Sequence, residues 1–320
     1  MSPSLPMWEP GRSVTVTVPA SSANLGPGFD AIGVGLDIRD RCTVTVTEEP
    51  GLRVVATGEG AGAVPTDERH LVIRSLLRGL DALGVDRPAG MTLTCVNAVP
   101  HGRGLGSSAT AIVSGIGAAS ALAALAAGGP AAIDLAFVND LAAEMEGHPD
   151  NSSASVYGGL TLSWPDDAPE AGPLAHTRTV CLTPHPDVRP IVVCPDTQLS
   201  TATARSVLPS QVLLRDAAAN SARAALLVHA LTTDPELLLP ATRDWLHQEA
   251  RRPSYSASMA LVDRMRAAGH AAVISGAGPS VLALTTAPAE VLALAGGPWQ
   301  VLDPGFAASG ITVVPAVSDA

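Results

Sequence analysis

The stretch Ala109 to Ala127, ATAIVSGIGAASALAALAA, limits what this chain can fold into more than any other. It contains no proline and no charge, and alanine, the best helix former, dominates it. It is long enough to span a membrane. However, Ala, Gly and Ser outnumber Leu and Ile, and alanine contributes little insertion free energy. A buried helix of a soluble protein is expected. Aromatic residues are only 3% of the chain against 47% hydrophobic residues, so the core must be built from Ala, Val and Leu.

That helix is entered through V-P-H-G-R-G-L-G-S-S, Val99 to Ser108. Gly102, Gly104 and Gly106 can adopt positive φ and let backbone N–H groups approach an anion closely. The unpaired amides and positive dipole end of the helix would then face that anion. Ser107 or Ser108 is the expected cap. A tight glycine turn with a serine cap explains the same residues equally well. The loop lacks the lysine of a P-loop and the spacing of G-x-G-x-x-G. Indeed the chain has no lysine: all 19 basic residues are Arg. Schiff-base chemistry, Walker-A binding and protein-kinase-type catalysis are therefore excluded.

Net charge is −11, which argues against nucleic-acid partners and anionic membrane surfaces. The four cysteines form no C-x-x-C pair, and the eight histidines show no zinc spacing. The opening MSPSLPMWEPGR lacks a basic region followed by an apolar run and reads as a frayed tail. A cytoplasmic protein with reduced thiols is expected.

Period-two alternation predicts strands over Ser13–Val18 and Arg41–Thr47. Met91–Val96, Val156–Trp164, Thr177–Leu182, Pro190–Cys194, Ala271–Ser275, Val281–Leu284 and Ile311–Val314 also read as strands. Helices are expected over Glu68–Leu83, Ile133–Met145, Leu213–Leu231, Glu236–His247 and Ser256–Ala267, and near Glu290. Pro165 to Pro173 is the best linker. Strands and helices mix without strict alternation, which favours an α+β protein with two lobes.

Two further loops share the character of the first. P-A-S-S-A-N-L-G-P-G-F-D, Pro19 to Asp30, reads as neither strand nor helix. S-G-A-G-P-S, Ser275 to Ser280, joins two apolar strands. Each alone is an ordinary turn. In this order and at these separations, the three resemble the GHMP kinases. E-G-H-P-D-N (Glu146 to Asn151), A-R-S-V-L-P (Ala204 to Pro209) and L-H-Q-x-x-R (Leu246 to Arg251) narrow the resemblance to the homoserine kinase family, from Val14 to about Val314.

The resemblance implies a two-lobed GHMP kinase fold. Its ribosomal-S5-like N-terminal lobe (13–165) would carry a left-handed βαβ unit, followed by a C-terminal α+β lobe (174–316). It implies ATP-dependent phosphorylation of the L-homoserine side-chain hydroxyl, in threonine biosynthesis, by a cytoplasmic homodimer. Pro100, His101, Gly102, Arg103, Gly104, Leu105, Gly106, Ser107, Ser108 and Ala109 would wrap the triphosphate. Ser108, with Ser107 as alternative, would ligate Mg²⁺ together with Glu144; Asp140 and Glu146 are rivals for that carboxylate. Arg205 and Arg251 would take the substrate carboxylate and Asp30 its ammonium, with Asn24, His148 and Asn151 around the hydroxyl.

Asn151, His148 and Arg205 are the expected catalytic residues. Asn151 stands where mevalonate kinase-like relatives carry an Asp, and an amide cannot accept a proton at neutral pH. Catalysis is therefore expected to rest on positioning and charge neutralisation, with no dedicated carboxylate base. Asp150 is the nearby carboxylate that could contradict this. His70 replaces the Asn that many relatives place near the nucleotide base, leaving ATP against GTP open. Two other readings stand beside this one: a GHMP kinase for another small alcohol, and a silent nucleotide- or amino-acid-binding paralogue. Mevalonate has no ammonium to match Asp30, and neither the phosphate loop nor the metal ligands are broken.

Overall fold

The computed structural model describes residues 8–166 and 176–315. Its first sheet is organised by one long hairpin, β1 (Ser13–Asn24) against β2 (Gly28–Val46). Val14, Val16 and Val18 all point to one face and are fully buried, as period two requires. The hairpin extends beyond the alternating stretch. Pro19 to Asp30, expected as a loop, forms its upper half, because Ala20 to Ala23 keep pairing with Leu36 to Gly33 after a register shift at Pro19/Ala20. The shift breaks the alternation that betrays a strand in sequence. At the tip, Asn24 (φ 68°), Leu25 (φ 48°) and Asp30 (φ 55°) are left-handed. Non-glycine residues held there cost free energy and cluster at functional loops.

Strand β3 (Gly51–Gly58), an exposed edge the alternation did not reveal, runs parallel to β4 (Gly90–Asn97). Helix α1 (Leu71–Ala82) crosses between them. The central helix α2 (Ser107–Ala126) packs on α1 so closely that a Cβ at Gly115 would lie 2.3 Å from Val72 O. That approach is the physical reason for its Ala/Gly composition. It is the one helix among the described residues long and apolar enough to cross a membrane, and 72% of its apolar window is buried in the protein.

Helix α3 (Leu135–Glu146) is capped by Asp134, which accepts from the Ala136 and Phe137 amides, and ends at Gly147 in the left-handed region. A short helix α4 (Pro149–Tyr157) follows at once, where the sequence suggested a break and then a strand. Its PDNSSASVY has little apolar periodicity. Tertiary burial, not amphipathicity, holds it: Ser152, Ser153 and Ser155 are fully buried. Strand β5 (Leu160–Pro165) then pairs with β2, and β6 (Thr177–Leu182) with β5.

The second sheet has the order β10-β7-β9-β8, all antiparallel: β7 (Arg189–Cys194), β8 (Ala271–Ile274), β9 (Val281–Thr285) and β10 (Gln300–Leu302). Around it lie α5 (Thr201–Ser206), α6 (Leu214–Thr232), α7 (Leu238–Ala241), α8 (Gln248–Arg251), α9 (Ser256–Ala267) and α10 (Pro288–Leu294). The helix expected over Glu236–His247 is interrupted. Asp244 accepts from the amides of Leu246, His247 and Gln248, which stops one helix and starts the next.

Sheet membership does not follow the expected boundary at 165/174. Strand β6 and the last strand, β11 (Thr312–Pro315), both join the first sheet. Most of the expected linker lies outside the described residues. A single core cluster unites Leu25, Val34 and Leu105 with Val192, Leu227 and Leu282, so the sheets share apolar packing beneath the three loops.

Candidate functional site

The three glycine-bearing loops meet at one place. Ser275 Oγ lies 2.7 Å from Ser22 Oγ and 2.6 Å from Gly104 O. Asn24 Nδ2 donates to Gly276 O (3.0 Å), and the Gly276 amide donates to Ala23 O (3.1 Å). Added Cβ atoms at Gly104 and Gly106 would come within 2.3 Å of Ser275 O and 2.0 Å of Ser21 Oγ. Both glycines have positive φ, 75° and 69°. Their bareness thus serves loop-to-loop contact as well as turn geometry.

This packing consumes the carbonyls of the helix-entry loop. Gly102 O accepts from the Leu199 amide, Arg103 O from the Ser280 amide and Leu105 O from the Ser21 amide. The amides of Gly104, Gly106, Ser107 and Ser108 make no hydrogen bond to protein among the described residues. Neither serine caps the helix. Gly106 is the N-cap, and the first helical turn is closed by the Thr110 amide donating to Gly106 O. The expected serine cap is therefore replaced by a bare helix start, which leaves more donors free for an anion.

These amides border a cavity of ≈ 260 Å³. Gly102, Gly104, Gly106, Ser107 and Ser108 line it; Pro100, Leu105 and Ala109 are buried beneath. Asn24, His148, Asn151, Arg205 and Arg251 line its other walls. Asp30 stands just behind, paired with Arg205 through Nη1 to Oδ2 at 3.1 Å and through a second, shorter contact. Polar atoms of Asp30, His148 and Asp150 all lie within 4.8 Å of one another.

Arg251 is the unusual group here. It is 1% exposed, and among the described residues no carboxylate pairs with it. Its Nε donates to Ala204 O (2.9 Å) and its Nη1 lies 3.2 Å from His247 Nδ1. His247 Nε2 is 2.8 Å from Gly26 O. Since a carbonyl only accepts, Nε2 carries the proton, leaving Nδ1 to accept from Arg251. Burial lowers the pKa of His247, favouring this neutral form, and burial likewise lowers that of Arg251. The Phe29 ring stacks on His247 and lies 5.5 Å and 5.6 Å from the guanidinium carbons of Arg205 and Arg251.

At the start of α4, His148 Nδ1 lies 2.7 Å from Asp150 Oδ1, which also accepts from the Asn151 amide at 2.9 Å. Burial disfavours charge on His148, but Asp150 and Glu146 outweigh it and its pKa is raised. Asn151 Oδ1 accepts from Ser21 Oγ (3.1 Å), which leaves Nδ2 as its donor.

Residues 70–159 match the model for the GHMP kinases N terminal domain, and residues 222–295 that for the GHMP kinases C terminal domain. The homoserine kinase of Streptomyces coelicolor is 49% identical over 305 residues, covering 95% of each chain. The chain belongs to the homoserine kinase family. The homoserine kinase of Streptomyces avermitilis is 48% identical, covering 95% of this chain and 96% of its own. The crystal structure of homoserine kinase from Cytophaga hutchinsonii superposes with a TM-score of 0.78 at 26% identity, covering 97% of this chain and all of that one.

Of the two expected metal ligands, Ser108 lines the cavity and Glu144 is misplaced. Glu144 does not reach the cavity: its Oε1 pairs with Arg78 at 3.2 Å on the surface. Two residues apart on a helix is roughly 200° of rotation, so Glu144 and Glu146 face opposite ways. Glu146 lines the cavity, its Oε2 is buried without a partner, and burial pushes its pKa up to about 7 against the counter-effects of His148 and Ser108. Asp140 is occupied by His176 and the Thr177 amide. Leu199, Ser200 and Thr201, at the start of α5, also line the cavity, and no motif marks them in the sequence.

A second cavity of ≈ 290 Å³ lies on the far side of Ser107 and Ser108, bordered by His70 and His101. His70 is buried, with Nδ1 unpartnered, and burial lowers its pKa.

Proposed function

We propose that the chain transfers the γ-phosphoryl group of ATP to the side-chain hydroxyl of L-homoserine, releasing ADP and O-phospho-L-homoserine. The observation that carries this reading is a single cavity holding two complementary anion sites. One is the set of unpartnered amides from Gly104 to Ser108; the other is the buried, acid-free guanidinium of Arg251. The first suits a polyphosphate. The second suits a carboxylate, for which a guanidinium offers a planar fork.

In this reading Arg251 and Arg205 take the homoserine carboxylate. Asp30, already paired with Arg205, takes the ammonium. Asn24 and Asn151 hold the hydroxyl, and His148 is aligned by Asp150 beside the phosphoryl group. The purine lies in the second cavity against His70, whose unpartnered Nδ1 offers a donor in one neutral tautomer and an acceptor in the other.

The donor set also fits a divalent cation. Glu146 Oε2 is an unsatisfied buried carboxylate oxygen, with Ser108 beside it and the amide-lined loop adjoining. Glu146 and Ser108 would hold Mg²⁺, which neutralises phosphate charge when bound. Asp150 has its Oδ1 committed to His148 and Asn151, which supports a positioning role over proton abstraction.

The test is ADP release with Mg-ATP over a panel of small alcohols, alongside Arg205→Ala. Homoserine should turn over and mevalonate should not, and Arg205→Ala should raise the homoserine KM by about tenfold or more. Turnover of mevalonate but not homoserine, or nucleotide binding without ADP release, would refute the proposal.

A further inference from the structure

Strand β4 leaves β2 at the pair Arg41↔Val96, and the next β2 residue along, Asp40, takes over the ladder with its side chain. Asp40 Oδ1 accepts from the amides of Ala98 (2.7 Å) and Val99 (3.0 Å). Its other oxygen, Oδ2, lies 3.2 Å from the Thr110 hydroxyl, whose single proton is shared between Oδ2 and Ser107 O (2.9 Å). Asp40 is 5% exposed, and Val99 and Thr110 are fully buried. One carboxylate therefore ties the chain just before the phosphate loop to the first turn of the helix just after it.

We propose that Asp40 is a positioning residue for the nucleotide: by fixing both ends of the 100–109 loop, it keeps the amides of Gly104 to Ser108 turned into the cavity. The inference rests on the phosphate-binding reading of that loop. Asp40 does not line the phosphate cavity but does border the second one, whereas Thr110 lines neither, so Thr110→Val separates the clamp from any direct contact with the nucleotide. Asp40 acts through backbone geometry, which glycines at 102, 104 and 106 would otherwise leave loose. The loop's middle is held by neighbours from other loops, but among the described residues only the Asp40 side chain hydrogen-bonds to both its ends.

The clamp needs two hydrogen-bonding atoms at this position and not a charge. An asparagine at this position accepts from both amides through Oδ1. Its Nδ2 donates to Thr110 Oγ1, whose own proton is then free for Ser107 O. Asp40→Asn should therefore keep the clamp, and Asp40→Ala should lose it.

The experiment compares wild type, Asp40→Asn, Asp40→Ala and Thr110→Val by steady-state kinetics and by equilibrium titration with a non-hydrolysable ATP analogue. Asp40→Ala should raise the ATP KM and the analogue Kd by about tenfold, leaving the homoserine KM within about twofold. Asp40→Asn should stay within about threefold of wild type, and Thr110→Val should move the same way as Asp40→Ala but less. A purely structural role would lower Tm without separating the two KM values. Should Asp40→Ala fail to fold, Thr110→Val carries the same split. The proposal is overturned if the folded variants shift both KM values together, if analogue affinity is unchanged, or if Asp40→Asn is as impaired as Asp40→Ala. If wild type shows no homoserine turnover, the functional reading falls, while analogue titration still decides the clamp.

Discussion

The two halves of the cavity are made of different materials. On the side proposed for the nucleotide the donors are main-chain amides, and glycines leave few side chains there. On the side proposed for the substrate nearly every polar group is a side chain, brought from β1, α4, α5 and α8. Backbone donors are held by the fold itself. Side-chain donors need second partners, and here they have them: Arg251 rests on Ala204 O, His247 and Phe29, and Asn151 rests on Ser21. A polyphosphate needs many donors of one sign and little selectivity. A small zwitterion needs charges of both signs at fixed separation.

The difference should show first in Arg251→Met, which removes the charge while roughly keeping the volume. Loss of a buried ion pair costs about 3–5 kcal/mol. The homoserine KM should rise by roughly a hundredfold or more, with the ATP KM within about twofold. An equal rise in both would mean the halves are not separate. The counterpart is Gly104→Ala. Its Cβ would meet backbone, Ser275 O at 2.3 Å and Gly278 N and O at 2.9 Å, which cannot swing aside as a side chain can. The cost of left-handed alanine plus overpacking is about 2–4 kcal/mol. Catalytic efficiency toward ATP should fall by roughly a hundredfold, and the homoserine KM should change little. Full activity in this variant would refute the cradle.

This contrast also explains what could be read from sequence. Backbone sites leave a mark in composition, because only glycine satisfies positive φ and close contact together. Gly102, Gly104, Gly106 and the Ala-rich α2 were therefore legible, along with most strands whose alternation was intact. Side-chain sites leave no such mark. Arg205, Arg251, Asp30 and His148 were placed through family resemblance, and a resemblance cannot fix helical phase. Hence Glu144 was expected where Glu146 lies. The short helix α4 was hidden because its serines are buried by neighbours. Asp40 has no motif around it, since its partners Ala98 and Val99 offer only amides.

Glu146 sits at the seam between the halves and gives a smaller, pH-dependent effect. Burial raises its pKa from the ordinary 4.5 to about 7. Between those values the native state holds a proton that the unfolded chain has lost. Stability therefore falls as pH rises through that window, by up to ~3 kcal/mol. Without Mg-nucleotide, Glu146→Gln should match wild type near pH 5 and exceed its Tm by about 5 °C at pH 8. Mg-ATP should stabilise wild type more than the variant at pH 8. A variant whose Tm tracks wild type across the whole range would show that Glu146 is not the strained carboxylate.

The smallest effect is expected where a base would sit. Asp150 is 1% exposed and borders the cavity, so it is the obvious proton acceptor. Yet Oδ1 is already shared between His148 Nδ1 and the Asn151 amide, and its neighbour Asn151 has no basic atom. Asp150→Asn keeps an acceptor at Oδ1 and the shape of the side chain, so both contacts survive. What it removes is charge, and with it the support for a protonated His148, whose pKa is raised through that carboxylate once burial is overcome. Phosphoryl transfer has a loose transition state in which the nucleophile's proton departs late, so the charge on Asp150 contributes alignment more than proton transfer. kcat should drop by about tenfold or less, with both KM values nearly unchanged. A loss of about a thousandfold or more in kcat at constant KM would instead mark an essential proton acceptor, and positioning alone would no longer account for the rate.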